Sequence, residues 1–207
     1  MRLVLGSASP RRRELLTRLG VEFEVEPSEA PERPARLGEE PSNYALSLAL
    51  TKAQEVAARR PDAIVLSADT VVVLGSRILG KPMTETDAFE MLSLLSGRMH
   101  RVITAVVVRG ARQQCQGAMS TEVTMARAEN DQFRAYIATG EPMDKAGAYA
   151  IQGLGGALVA GINGCYSNVV GLPLCLTSNL LREWNIGPAQ VRCEHREHTL
   201  PDVEAEL

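Results

Sequence analysis

Residues 3–13 read LVLGSASPRRR and decide how the fold begins. Three apolar residues predict a short strand, and the small residues after them predict a loop. Ser9 is a suitable N-cap and Pro10 fits the first helical position, so a helix is expected to begin there. A helix N-terminus favours an anion, and the arginines beside it offer paired donors for phosphate oxygens. The stretch therefore predicts a phosphate-bearing ligand, with solvent-facing arginines on an ordinary helix start as the alternative.

Composition limits the classes of protein that this chain can belong to. Its 207 residues are 45% hydrophobic, enough for the core of one domain or two small lobes, and its net charge is −3. That charge argues against a general nucleic-acid binder, and no apolar run reaches the length of a membrane span. The four scattered cysteines fit free thiols in a reducing compartment. Together with an N-terminus that starts directly on a strand, these features predict a cytoplasmic protein.

The hydrophobic periodicity predicts alternating strands and helices after the first helix. The expected strands are residues 21–25, 64–66, 71–74, 78–79, 102–108 and 121–125, and the expected helices are 42–59, 84–97, 130–139 and one opening at 172–173. Asn163-Gly164 predicts a type I′ hairpin turn between strands 155–162 and 165–170. The glycine spacing matches neither a P-loop nor a GxGxxG fingerprint. We expect an α/β protein with a mixed, twisted sheet and flanking helices in one domain, residues 1–186, followed by a polar tail, residues 187–207.

Asp69 is the strongest candidate for chemistry outside the first helix. It is an ionisable side chain within a run of strand-forming aliphatic residues. A buried carboxylate needs a partner, a metal or a raised pKa, and each of these suits a general base or a magnesium ligand. The alternative is an aspartate that caps a turn at the end of a strand.

Lysine is scarce in this chain and marks three further candidates. Of the 22 basic residues only Lys52, Lys81 and Lys145 are lysines. Lys52 lies within the apolar stripe of its helix, and Lys81 stands between Gly80 and Pro82, so either ammonium group is suited to a phosphate. The alternatives are a snorkelling Lys52 and a weak surface pair between Asp144 and Lys145.

Two polar residues in loops and three residues in the tail complete the candidates. The amide of Gln152 both donates and accepts, which suits the reading of a base edge, while an exposed turn residue is the alternative. Glu32 in the proline-rich loop is a candidate metal ligand or an ordinary solvated residue. Cys193, His195 and His198 do not fit a structural zinc site, because the charged tail offers no fourth ligand at suitable spacing.

Eight short motifs, in order along residues 3–184, resemble the Maf family of nucleoside triphosphate pyrophosphatases. They are SASPRR (7–12), ADT (68–70), GKP (80–82), LSG (95–97), GEP (140–142), DKAGAY (144–149), IQG (151–153) and VGLP (170–173). The resemblance implies a Maf/Ham1-like, ITPase-like fold with a central cleft. It also implies a divalent metal, Mg²⁺ or Mn²⁺, and a role in removing unwanted nucleotides from the pool.

The resemblance also assigns roles to individual residues. Arg11, Thr70 and Gln152 are similar to the trio that marks the branch acting on dTTP and UTP. Asp69 would be the proton acceptor and would hold the metal together with Glu32. The remaining implied positions are those that bind phosphate: Ser7, Arg12, Lys52 and Lys81.

Two other functions stay open from the sequence. One keeps the chemistry and changes the base, giving a pyrophosphatase for 7-methyl-GTP or for a broad range of nucleotides. The other is a non-catalytic, nucleotide-binding regulator of septum formation. Nucleoside triphosphates are the expected partners, nucleic acids and membranes are not, and a homodimer is left open.

Overall fold

The fold is described here from a computed structural model that covers residues 2–187 and 191, and the backbone of residues 198–199. It contains a mixed sheet flanked by helices, as the sequence predicts. The strands are β1 (Arg2–Leu5), β2 (Glu24–Val25), β3 (Ala63–Leu74), β4 (Arg77–Leu79), β5 (Met99–Arg109), β6 (Gln114–Met125), β7 (Val159–Asn163) and β8 (His198–Thr199). The α-helices are α1 (Pro10–Arg18), α2 (Pro41–Arg59), α3 (Glu85–Leu95), α4 (Asn130–Ala138), α5 (Tyr166–Val170) and α6 (Leu174–Arg182). Short 3₁₀ helices cover Glu141–Asp144, Ala146–Ala148 and Leu154–Leu158.

The sheet combines parallel and antiparallel pairs. Its hydrogen-bonded order is β2-β1-β3-β5-β6-β7-β8, with β4 paired to β3 outside this path. β1 runs parallel to both β2 and β3, whereas β4 is antiparallel to β3, and β7 is antiparallel to β6 and to β8. None of the helices in the described part of the chain is long and apolar enough to cross a membrane.

The described residues divide into two compact units, which we call the first and the second unit. The first unit holds residues 2–70, 103–119 and 167–187. Buried apolar residues of α1, α2 and the first half of β3 belong to its core. Leu16 of α1, Val56 of α2 and Leu66 of β3 are fully buried, which confirms the apolar stripes expected from the helical spacing.

The second unit holds residues 71–102 and 120–166. Its α3 begins with a capping box, in which Thr84 and Asp87 satisfy each other's backbone N–H groups, so the start expected for this helix at residue 84 is confirmed. Phe89 of α3 meets Phe133 of α4 edge to face, with ring centroids 6.1 Å apart. The turn at Gly75 leads into β4, which pairs with the end of β3 as an antiparallel hairpin.

Three of the sequence predictions about secondary structure are wrong. The strand expected over residues 21–25 shrinks to Glu24–Val25. The two strand segments expected around Asp69 form one continuous strand, β3. The polar side chain of Asp69 is tolerated inside this strand because Lys52 is hydrogen-bonded to its carboxylate. The hairpin expected at residues 163–164 is absent, since the chain after Gly164 is held by Thr121, whose Oγ1 bonds both the N–H and the C=O of Cys165, and continues as α5.

Two further expectations concern the cysteines and the tail. Cys115 and Cys165 are free thiols as expected, but Cys175 is disulfide-bonded, which corrects the expectation there. Most of the tail from residue 187 lies outside the described residues, and so do Cys193, His195 and the side chain of His198. Within the described residues, no cluster of three or more His, Cys, Asp or Glu side chains is arranged to hold a metal.

Candidate active site

The N-terminus of α1 is built as the sequence predicts. Ser9 is the N-cap, and its Oγ accepts from the backbone N–H of Arg12 at 3.4 Å. Pro10 occupies the first turn of the helix. Ser7 Oγ accepts from the backbone N–H of Ser9 at 3.3 Å, so the loop before the helix is tied to the cap. These contacts fix the first turn and the direction in which its arginines leave it.

Arg12 is held on three sides by neighbours from distant parts of the first unit. Its Nη1 donates to Ser7 Oγ at 3.2 Å, its Nη2 to Thr70 Oγ1 at 3.1 Å, and its Nε to the carbonyl of Gly171 at 2.9 Å. Burial lowers the pKa of the guanidinium, and the negative charge of Asp69 opposes part of that change. Because an arginine stays charged in proteins, the result is a fixed, poorly hydrated cation. Such a group suits a phosphate oxygen.

Lys52 joins two carboxylates. Its Nζ lies 2.6 Å from Glu32 Oε1 and 2.5 Å from Asp69 Oδ1. The Lys52 side chain is only 15% exposed, so its ammonium is held by these partners instead of snorkelling to water. The arrangement shows that Glu32 and Asp69 direct their oxygens to one place, where they stabilise a positive charge.

Asp69 lies inside β3 and not at a turn. Its side chain is 8% exposed, and Ala68 before it is fully buried. A carboxylate so poorly solvated requires a compensating charge, and Lys52 supplies it from α2. The turn-capping alternative is therefore wrong, and the functional hypothesis for Asp69 keeps its structural basis.

The loop that carries Glu32 is braced by a network that the sequence did not reveal. Arg33 binds both oxygens of Glu39, at 2.8 and 2.5 Å, and donates to Ser47 Oγ at 2.8 Å. The Arg33 guanidinium lies 5.0 Å from the centre of the Tyr44 ring, and Tyr44 Oη donates to the Arg33 carbonyl at 2.7 Å. The hydrogen bonds from Arg33 lower the pKa of Glu39 to about 2. The backbone next to Glu32 is thereby fastened to α2.

The other residues singled out from the sequence lie on α1 or in the second unit. Arg11 is partly exposed on α1, and Arg13 is fully on the surface, as expected for an ordinary helix residue. Lys81 and Gln152 belong to the second unit, where both are exposed. Lys145 pairs with Asp144, the interaction that we expected as the alternative to a functional role.

The turn that carries Gln152 is clamped by Glu141 and Tyr136. Glu141 Oε1 accepts from Tyr136 Oη at 2.8 Å and from the N–H of Gly155 at 3.1 Å, while Oε2 accepts from the N–H of Leu154 at 3.1 Å. A Cβ on Gly153 would lie 2.2 Å from Glu141 Oε2, so only glycine allows so close an approach. Glu141 was part of a motif, but its sequence context did not indicate this role.

The donor set in the first unit fits a divalent metal. Glu32 and Asp69 offer two carboxylates, and Mg²⁺ is commonly held by one or two carboxylates together with substrate phosphates. Arg12 feels the charge of both carboxylates, so cationic and anionic groups occur together in this part of the unit. The chemistry that such a set performs best is the binding and hydrolysis of a phosphate anhydride.

Comparisons with known proteins agree with this chemistry. The family model described as "Maf-like protein" matches residues 2–184. A dTTP/UTP pyrophosphatase of Moorella thermoacetica is 53% identical over 182 residues, which cover 87% of this chain and 93% of that protein. A dTTP/UTP pyrophosphatase of Anaeromyxobacter dehalogenans (strain 2CP-1 / ATCC BAA-258) is 50% identical over 185 residues, with the same two shares.

A solved structure is also similar, at a much lower level. It is a nucleoside-triphosphatase / dITP/XTP pyrophosphatase of Mycobacterium abscessus, with 15% identity and a TM-score of 0.40. The match covers 62% of this chain and 76% of that one. This likeness is too weak to add to the argument from the sequence relatives.

Proposed function

The chain belongs to the Maf family, and from that premise we propose that it hydrolyses dTTP and UTP to the monophosphate and pyrophosphate. The observation that carries the proposal is the contact of Lys52 Nζ with both Glu32 and Asp69. The charges of the same two carboxylates also act on the Arg12 guanidinium. The names of the relatives support the choice of substrates. Removal of unwanted nucleotides from the cytoplasmic pool is the role that follows.

Asp69 is the proton acceptor in this proposal. A water molecule attacks the α-phosphorus, and one of its protons passes to a carboxylate oxygen of Asp69 as the new P–O bond forms. The bond from the α-phosphorus to the bridging oxygen breaks, and pyrophosphate leaves with that electron pair. The position of Asp69 supports the assignment, because its carboxylate is only 8% exposed and is held in place by the Lys52 ammonium, as the positioning of a general base requires.

The cationic residues hold and neutralise the triphosphate. Arg12 and Ser7 lie together at the start of α1, and Lys52 is close enough to Asp69 to deliver its ammonium to the same phosphates. Lys81 is assigned to phosphate as well. Positioning and charge neutralisation supply most of the rate increase for this class of reaction.

A divalent metal, Mg²⁺ or Mn²⁺, belongs to the proposal, with Glu32 and Asp69 as its protein ligands. When bound, it neutralises phosphate charge and polarises the bond that breaks. Arg11, Thr70 and Gln152 are assigned to base selection. Of these three, Gln152 has the support of a rigid turn, since Glu141 holds the backbone on its C-terminal side.

A panel of nucleotides tests the proposed function directly. The full chain is incubated with dTTP, UTP, CTP, GTP and 7-methyl-GTP in the presence of Mg²⁺ or Mn²⁺. We expect monophosphate and pyrophosphate from dTTP and UTP, no release of inorganic phosphate, and loss of turnover when EDTA removes the metal. Faster turnover of 7-methyl-GTP would contradict the assigned branch, and nucleotide binding without any pyrophosphate release would contradict the enzyme.

A further inference from the structure

A series of hydrogen bonds leads from the hydroxyl group of Thr70 into the interior of the first unit. Thr70 Oγ1 and Thr104 Oγ1 are 2.9 Å apart, and Thr104 Oγ1 is 2.9 Å from the carbonyl oxygen of Asn168. Thr104 and Asn168 are both fully buried. Neither residue has a role in the proposed function, yet both are connected to Thr70, which is assigned to base selection.

The donor and the acceptor of each hydrogen bond in this series follow from the chemistry of its groups. A carbonyl oxygen only accepts, so the single hydroxyl proton of Thr104 points to Asn168. Thr104 Oγ1 must then accept in its contact with Thr70, and the hydroxyl proton of Thr70 points to Thr104. The reverse arrangement would set a lone pair of Thr104 against the carbonyl oxygen, which is unfavourable in a buried site.

The Asn168 end of this series is held by further hydrogen bonds. The Asn168 carbonyl also accepts from the N–H of Gly171 at 3.0 Å, and the Asn168 side-chain Oδ1 accepts from the N–H of Thr104 at 3.2 Å. Asn168 therefore contacts the backbone and the side chain of Thr104 together. The Thr104 hydroxyl cannot turn away from the Asn168 carbonyl without losing its own hydrogen bond to it.

The hydroxyl proton of Thr70 is used in its bond to Thr104, so Thr70 Oγ1 offers only lone pairs to other groups. One lone pair accepts from Arg12 Nη2 at 3.1 Å. The side chain is partly exposed, unlike Thr104. A Cβ on residue 171 would lie 3.4 Å from Thr70 Oγ1, but Gly171 has φ +121°, which favours glycine, and so this side of the hydroxyl stays uncovered. A ligand that reaches Thr70 meets a hydrogen-bond acceptor.

We infer that Thr104 and Asn168 are positioning residues for base selection, because they hold Thr70 Oγ1 as an acceptor that recognises the N3–H of uracil or thymine. Cytosine has an unprotonated N3, so its lone pair would face the lone pair of Thr70. The inference rests on the proposed function for the identity of the substrates. It goes further by explaining how one hydroxyl group separates UTP from CTP.

The experiment compares wild type with Thr104→Val, which keeps the shape of the side chain and removes its hydroxyl. The control is Thr104→Ser, which keeps the hydroxyl. Two quantities are measured for UTP and CTP: the ratio of kcat/KM, and the ratio of Kd by calorimetry with non-hydrolysable α,β-methylene analogues. The Kd ratio reports base selection even if the chain hydrolyses nothing.

We expect wild type to favour UTP in both ratios. In Thr104→Val the proton of Thr70 is free to turn toward a ligand, so both ratios should fall by about 10- to 100-fold, the range for an unpaired polar group. Thr104→Ser should restore them. As a test without mutation, wild type should reject N3-methyl-UTP by a similar factor while it binds dTTP, whose methyl group is at C5.

The outcomes separate this inference from the proposed function. A Thr104→Val protein that weakens UTP and CTP equally, with unchanged ratios, would show that Thr104 only supports the fold and would overturn the inference. Wild type that binds the UTP and CTP analogues equally, or accepts N3-methyl-UTP, would overturn it as well. Selective binding of the UTP analogue without hydrolysis of UTP would instead overturn the proposed function and leave the inference standing.

Discussion

The polar clusters of the two units differ in the kind of partner they use. In the first unit, Asp69 and Glu32 are compensated by the ammonium of Lys52, a charged group on a flexible side chain. In the second unit, the hydrogen-bond partners of Glu141 are a tyrosine hydroxyl and two backbone N–H groups, all of them neutral, while Lys145 acts on it through charge alone. A metal or phosphate can replace a mobile ionic partner, but it cannot replace a backbone N–H.

For Asp69, Glu32 and Glu141, this difference indicates which carboxylates act on a ligand and which maintains the fold. Substitutions in the cluster of the first unit should change activity more than stability. Substitutions of Glu141 and His100 in the second unit should change stability, or its dependence on pH, more than turnover. The variants below test this division, beginning with the largest expected effect.

Asp69→Asn should lower kcat by about 10²- to 10⁴-fold, the usual contribution of a general base. The amide keeps the size of the side chain and cannot take up the proton of the attacking water. Pyrophosphate release from UTP at saturating Mg²⁺ gives the rate, and a thermal melt gives the stability. The matched control is Asp62→Asn, the same change at an exposed residue of the same unit. An Asp69→Asn enzyme with more than about a tenth of the wild-type kcat would show that another group accepts the proton.

His100 should make the second unit sensitive to acid. The residue is 2% exposed, its Nε2 lies 2.7 Å from Tyr149 Oη, and burial lowers its pKa to about 4. The unfolded chain takes up this proton near pH 6.5, so it binds more protons than the folded chain at any pH between the two values. Stability is therefore fully present above about pH 6.5 and falls as the pH drops toward 4.

His100→Gln removes this titration and isolates its contribution. Urea denaturation of both proteins at pH 7.5 and pH 4.5 should show that acid costs wild type about 2–3 kcal/mol more than the variant. Carboxyl groups titrate in both proteins and cancel in the difference. Turnover at pH 7.5 should differ little, because His100 contacts Tyr149 and has no part in the proposed chemistry. If acid destabilises the two proteins equally, the buried histidine does not control the pH dependence.

A site residue can be predicted from the sequence where a polar residue interrupts an apolar run, but not where its role depends on a contact with a distant residue. Asp69 was found in this way, and Thr104, which interrupts the equally apolar run of β5, carries the same signal. Its function depends on Asn168, far along the chain, and no local pattern reveals that contact. The same reason explains the wrong hairpin after Gly164: the valines of residues 169–170 favour a strand, but the two hydrogen bonds between Thr121 and Cys165 hold the chain where α5 begins.

Glu141 also illustrates what sequence alone left out. The GEP motif indicated the family and gave no role to the glutamate. Its role appears only when residues 154–155 fold back onto its carboxylate. Burial raises the pKa of Glu141, but the hydrogen bonds from Gly155, Tyr136 and Leu154, together with the charge of Lys145, outweigh that effect, so the net change is downward. The charged form is therefore the one that the fold uses.

Glu141→Gln should destabilise the protein by about 2 kcal/mol, because an amide NH₂ replaces one acceptor oxygen and faces a donor. We expect kcat to stay within a few fold of wild type, and KM for UTP to rise as the turn that carries Gln152 loosens. Urea denaturation and steady-state kinetics measure the two effects. The control is Glu90→Gln, the same change on the exposed surface of α3 in the same unit.

A double-mutant cycle with Tyr136→Phe decides whether Glu141 acts through the clamp. Tyr136 Oη donates to Glu141 and accepts from the N–H of Ala150 at 3.1 Å, so both residues hold the same turn. If they act together, the double variant loses less stability than the sum of the two single losses. Additive losses, or a kcat that falls in Glu141→Gln as it does in Asp69→Asn, would erase the distinction between the two clusters, because a carboxylate with neutral partners would then also be part of the chemistry.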